Sequence, residues 1–161
     1  MSYSYALVAN SSSVQRSDGA LIPDDARNLD WQAYQAWVAS GNMATPVPAP
    51  TSAQAAASNY ANAIAAGLAV ASASTPALNA TYGVDPTAQA NITAIVTGIA
   101  AGLGLPGGGS SFTYLDATGG PHAMTQTQFI ALAQAIRGYV YALDLYLAGQ
   151  GAQPAASATI A

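Results

Sequence analysis

Three prolines alternate along Thr45-Pro46-Val47-Pro48-Ala49-Pro50, and they limit the fold more than any other stretch. Each fixes its own φ, lacks a backbone N–H and pushes the preceding residue toward an extended conformation. Neither a helix nor a central strand passes through such a run. Residues 43–50 therefore read as a stiff linker between two parts that need not share a core. The expected organisation is an N-terminal module over residues 1–42, the linker, a helical domain over 51–148 and a flexible tail over 149–161.

The supply of large apolar side chains is the next constraint. Of 161 residues, 39 are Ala, whereas Leu, Ile, Val and Phe together number only 30. Alanine buries little area for each residue ordered, so an isolated core is thinly provisioned. A disordered chain would pair this scarcity with high net charge, but the formal charge is only −4. A chain that completes its burial by association fits better.

Charge excludes several function classes. All seven acids are Asp, all three bases are Arg, and Lys, Glu and Cys are absent. Three scattered arginines cannot neutralise a run of phosphates or bind an anionic membrane, so no nucleic-acid partner is expected. Without Cys there are no thiolate metal sites, no Cys nucleophile and no disulfides. The weakly polar stretch over residues 61–73 is too short to span a bilayer, and no membrane insertion is expected. The N-terminus lacks the positive region of a secretory signal.

Local signals predict an α+β fold that is mainly α. Tyr3, Tyr5 and Leu7 alternate with smaller residues, and Ser17-Asp18-Gly19 marks a turn, giving a hairpin of residues 13–16 and 20–22. Asn28 is a helix N-cap, with Trp31, Tyr34, Trp37 and Val38 following and Gly41-Asn42 as the stop. Thr51 or Ser52 caps an Ala-rich helix of about twenty residues running toward Ser74. Asp85-Pro86 starts an amphipathic helix carrying Ile92, Ile95, Val96, Ile99 and Leu103. Two short strands, residues 112–115 and 121–124, flank a turn at 116–120. Thr125 then caps a long terminal helix. Its Phe129, Leu132, Ile136, Tyr139, Leu143 and Tyr146 follow heptad spacing, as an oligomer seam or as a face packed on residues 92–103.

Chemistry-bearing residues are few. His122 is the sole histidine, and Asp116 and Thr125 lie near it in sequence. A catalytic base needs a nucleophile or an orienting partner, and a strand residue is the better reading. Asp24, Asp25 and Asp30 lack the ligand spacing of a calcium loop. The Gly-rich residues 102–109 follow a helix and lack a Gly-Lys-Ser/Thr ending, unlike a phosphate-binding loop. No scattered pair of acids suits glycoside hydrolysis. No catalytic residue, metal or cofactor is expected. Trp31, Tyr34 and Trp37 are candidates for partner docking, or they pack against the adjacent hairpin.

Two stretches carry a family resemblance. Gly19-Ala20-Leu21-Ile22-Pro23-Asp24-Asp25, with Asn28-Leu29-Asp30-Trp31 through Trp37 and Gly41-Asn42, resembles the N-terminal module of bacteriophage and prophage tail proteins. Leu78-Asn79-Ala80-Thr81-Tyr82-Gly83-Val84-Asp85-Pro86, with Phe112 to Asp116, His122-Ala123-Met124-Thr125, Gln128-Phe129 and Ala135-Ile136, resembles an uncharacterised C-terminal domain of phage tail proteins. Tyr114 stands where that domain often has Trp, and Ala and Gln replace charged helix residues. The resemblance implies a non-enzymatic structural component of the tail in the virion: a small fibre, an adaptor or a baseplate-peripheral protein. It would self-associate, with a homotrimer favoured by likeness to tail fibres, and dock to another tail protein, acting in host attachment. An assembly chaperone absent from the mature particle and a receptor- or carbohydrate-binding tail protein are the alternatives.

Overall fold

The computed structural model describes residues 3–161. It divides into two compact units, Met1–Pro50 and Thr51–Ala161.

In the first unit, β1 (Tyr5–Leu7), β2 (Val14–Arg16) and β3 (Leu21–Ile22) form an antiparallel sheet in that order. Tyr5 pairs with Arg16, Leu7 with Val14 and Val14 with Ile22, so all these side chains share one face. The β2–β3 turn needs a positive φ, which Gly19 supplies at +90°. Helix α1 (Leu29–Ala39) is capped by the Asn28 side chain, which accepts from the backbone N–H of Asp30 and Trp31. After α1 the chain returns to the sheet. The Thr45 N–H donates to Tyr5 O at 2.8 Å and Leu7 N–H donates to Thr45 O at 2.9 Å, a parallel bridge on the free edge of β1. The start of the expected linker is thus held in place, and Thr45 supplies the bond because the first proline follows it. Tyr5, Val14, Ile22 and Trp31 are buried as this unit's core.

In the second unit, α2 spans Ser52–Ala66 with a reciprocal capping box between Thr51 and Gln54. The expectation that it runs on toward Ser74 is wrong. The chain turns sharply at Gly67 (φ 81°, ψ −170°), a conformation essentially reserved for glycine. An added Cβ there would lie 2.6 Å from the carbonyl oxygen of Tyr82. Strand β4 (Leu68–Ser72) follows, with Leu68, Val70 and Ser72 buried and Ala69 and Ala71 exposed. A single 3₁₀ turn, Pro76–Leu78, leads to β5 (Ala80–Tyr82), then α3 (Pro86–Ala100), capped by Asp85. Strands β6 (Ser111–Leu115) and β7 (Pro121–Thr125) make a separate hairpin, and Thr125 caps α4 (Gln126–Leu147) through a second capping box with Gln128.

The expected flexible tail over 149–161 is also corrected. Residues Ser157–Ile160 form β8, parallel to β4, with Ala69 opposite Ser157 and Ser72 opposite Ile160. The sheet order is β5-β4-β8, and Ile160 enters the core at 5% exposure. Burial of Ile160 and satisfaction of the β4 backbone explain why this segment is ordered. With four α-helices and eight strands among the described residues, the chain is mixed α and β, and "mainly α" overstates its helical share.

The core of this unit is built on α4. Phe129, Leu132 and Leu143 are fully buried, Ile136 and Tyr139 nearly so, together with Leu68, Leu78, Tyr82, Val84 and Met124. The heptad face therefore packs within the chain, on the sheet, the hairpin, α2 and, as expected in part, the 92–99 stretch of α3, and is not an open oligomer seam. Its last member, Tyr146, is half-buried and accepts a hydrogen bond from Asn59 Nδ2 at 3.0 Å. The thin supply of large side chains suffices because β4, β5 and β8 each contribute one or two to the same face of α4.

Two substitutions test this arrangement by chemical denaturation. Gly67→Ala is expected to cost about 3 kcal/mol, from the forbidden backbone conformation and the clash with Tyr82 O. Ile160→Ala is expected to cost about 2–4 kcal/mol. A mobile terminal segment would give no change for Ile160→Ala.

Candidate functional site

Three places in the molecule gather polar or aromatic side chains. The first is the aromatic cluster of the N-terminal unit. Helical spacing brings Trp31, Tyr34 and Trp37 onto one side of α1, where Tyr34 and Trp37 pack on Tyr5 of β1 and Trp31 packs on Tyr34. Ring centroids lie 5.1 Å apart for Tyr5 and Tyr34, 5.0 Å for Tyr5 and Trp37, and 5.1 Å for Trp31 and Tyr34. Trp31 is buried, while Tyr34 and Trp37 are half-buried. Their inner faces are spent on packing against β1, and only the outer rims remain for a partner. Arg16 braces the cluster from the sheet. Its guanidinium donates to Asp18 and Asp30, the latter at 2.6 Å, and lies 4.4 Å from the ring centre of Tyr3. Both carboxylates raise the Arg16 pKa, and the guanidinium holds that of Asp18 low.

The second place is the β6–β7 turn. His122 and Asp116 stand next to each other in the hairpin, with Nε2 3.0 Å from Asp116 Oδ2. The other ring nitrogen, Nδ1, lies 2.7 Å from the carbonyl oxygen of Ala77. Asp116 Oδ1 also accepts from the Thr118 N–H, the Thr118 hydroxyl and the Gly120 N–H, each at 2.8 Å. Both side chains are well shielded, at 14% and 13% exposure. Each ring nitrogen faces an acceptor, so only the doubly protonated imidazolium satisfies both. Hydrogen bonding to Asp116 and then to Ala77 accordingly raises the His122 pKa, while His122 and then Thr118 hold the Asp116 carboxyl well below the usual carboxylate range. With both nitrogens engaged, the imidazole has no free position from which to move a substrate's proton. Thr125, the other neighbour in sequence, is turned away into its capping box. The arrangement fastens the hairpin to the Pro76–Leu78 turn.

The third place was missed from sequence. An open groove of about 790 Å³ runs between α3 and α4, floored by apolar side chains including Ile92, Val96, Ile130 and Val140. Exposed Arg137, Tyr141 and Asp144 stand along it. A readable signal existed: Gln134, Arg137, Tyr141 and Asp144 repeat at helical 3-4-3 spacing on the side of α4 away from the heptad face. Of the other candidates, Asp30 is bound to Arg16, and Asp25 lies 3.4 Å from Arg27 Nε. Among the described residues, no group of three His, Asp or Glu side chains is placed to hold a metal, and no helix is long and apolar enough to cross a membrane.

The His122 bonds make a pH-dependent contribution to stability. Because the folded imidazole pKa is raised, this contribution is complete below about pH 6.5 and lost as pH rises through the folded value. Because the Asp116 pKa is lowered, its share is complete above about pH 4 and lost as pH falls through the folded value. Thermal unfolding from pH 4 to 9 is expected to show a decline on the alkaline side that His122→Gln removes. At pH 6 His122→Ala is expected to cost about 1–3 kcal/mol.

No curated protein matches this sequence, and no solved structure matches it. One family model does, described as a domain of unknown function, DUF4376, over residues 46–144. That stretch holds α2, α3, the β6–β7 hairpin with Asp116 and His122, and the groove up to Asp144. Since the match covers more than half of the chain, the protein belongs to the DUF4376 family.

Proposed function

We propose that this chain is a non-enzymatic structural component of a bacteriophage tail, a small fibre, adaptor or baseplate-peripheral protein that self-associates and docks to another virion protein. The observation that carries this reading is the order of two motif stretches in one chain. The Ile22-Pro23-Asp24 to Asn42 module comes first, and the stretch from Leu78 through His122-Ala123-Met124-Thr125 comes after the prolines. Three further features support it. The one histidine is committed to bonds within the fold, and the surface carries an apolar groove of a size that suits protein contact. A surface kept polar by Ser, Thr, Asn and Gln also suits a part held within an assembly.

The rims of Tyr34 and Trp37, with exposed Leu29 and Val38 on the same helix, form the docking surface of the N-terminal unit. The Thr51–Ala161 unit carries self-association.

Mass spectrometry of purified particles tests the proposal. The protein is expected in intact virions at a stoichiometric level. Its presence in infected cells but absence from particles would establish the assembly-chaperone alternative instead. Deleting residues 1–50 is expected to leave a folded helical protein that no longer joins the particle. A truncated chain that still incorporates would remove the docking role from the first unit.

A further inference from the structure

We infer that the groove between α3 and α4 is covered by a second copy of this chain, the two α4 helices crossing antiparallel about a two-fold axis. Arg137 of each protomer then meets Asp144 of the other. This rests on the self-association in the proposed function and specifies its surface.

The Thr51–Ala161 unit has few charges: Asp85, Asp116, Arg137 and Asp144, with the His122 imidazolium held against Asp116. Asp85 is spent capping α3, and Asp116 is spent on His122 and the β6–β7 turn. The two that remain are opposite in sign, and both line the groove. They are seven residues apart on one helix, about 10.5 Å along its axis, beyond the spacing at which side chains of a helix pair. Among the described residues Arg137 makes no ion pair. Asp144 accepts the Tyr60 hydroxyl through Oδ1 at 3.1 Å, which leaves Oδ2 for another donor.

Symmetry then selects the partner. Across a two-fold axis, if residue i meets residue j, then j meets i. An axis passing beside Val140 and Tyr141, midway between the two charges, forms both ion pairs at once. A parallel arrangement, including a three-fold ring, displaces Arg137 from the neighbouring Asp144 by the same two helical turns and forms neither. The surface between and beside the charges is suited to contact. Tyr141 is 64% exposed, Ile130 and Val140 are half-buried, and Gly138 is exposed with open space where its Cβ would be. A glycine inside a helix is disfavoured for the isolated chain, and here it lets a second backbone approach. Tyrosine and arginine are the side chains that interface centres favour.

The test is sedimentation equilibrium of the full chain at micromolar concentrations, with Arg137→Asp, Asp144→Arg and the double substitution. All sites are exposed, and circular dichroism checks that each variant is folded. The wild type is expected to be a dimer. Either single change sets like charges against each other and is expected to raise the dimer Kd by about tenfold or more. The double substitution reverses both pairs and is expected to restore the dimer. So is an equimolar mixture of the two single variants, because each then supplies the charges the other lacks. A wild type that stays monomeric overturns both this interface and self-association. An oligomer of any size that is indifferent to the single changes overturns the interface while leaving self-association in place. Single variants that dissociate and are rescued by neither the double substitution nor the mixture overturn the antiparallel pairing.

Discussion

The larger unit depends on one corner. Between Ala66 and Leu68 the backbone passes through a conformation that only glycine adopts without strain, packed against the carbonyl of Tyr82. That corner ends α2 and starts β4, and β4 is the middle strand of the sheet. The three-stranded sheet is built around it. Strand β5 pairs on one side and β8 on the other, and Leu68 and Val70 supply the surface on which α4 settles. Any other residue at position 67 would hold this conformation only under strain.

What the sequence disclosed was what is decided locally. The caps at Asn28, Thr51, Asp85 and Thr125 lie where their side chains accept from nearby N–H groups, and the β6–β7 turn follows from its Gly and Asp content. What it concealed depended on distant partners. Leu68-Ala69-Val70-Ala71-Ser72 follows an Ala-rich helix, and alanine fits a period of 3.6 as readily as a period of 2, so the strand was hidden. Strand β8 is only four residues of modest hydropathy and becomes a strand by pairing with β4. The apolar heptad face of α4 is visible in its spacing, but spacing alone cannot say whether its complement comes from the same chain.

The candidate sites divide in the same way. That His122 belongs to a strand was legible from its hairpin setting. That both its nitrogens are engaged was not, because Ala77 is brought to it only by the packed turn ahead of β5. Trp31, Tyr34 and Trp37 were legible as a group through helical spacing. Their allegiance to Tyr5 was settled by the sheet. Charge is used with unusual economy throughout: Arg16 ties hairpin to helix, Asp85 opens α3, and Asp116 locks a turn. In such a chain a charged side chain without an internal task stands out, as it would not on an ordinary Lys- and Glu-rich surface.

The parallel pairing of β4 with β8 also bears on how the molecule reaches its native state. Ala69 and Ser157 are neighbours in the sheet yet are separated by most of the unit's length. Until the two meet, β4 has a bare edge lined by alanines, with no lysine or glutamate nearby to discourage other strands from adding to it. Contacts this distant in sequence slow folding, because the intervening loop must close before they contribute. The hairpin and the capped helices can form early, while the sheet closes last. The interval between those events is when the chain is most exposed to edge-to-edge aggregation, and the docking of β8 is the step that ends it.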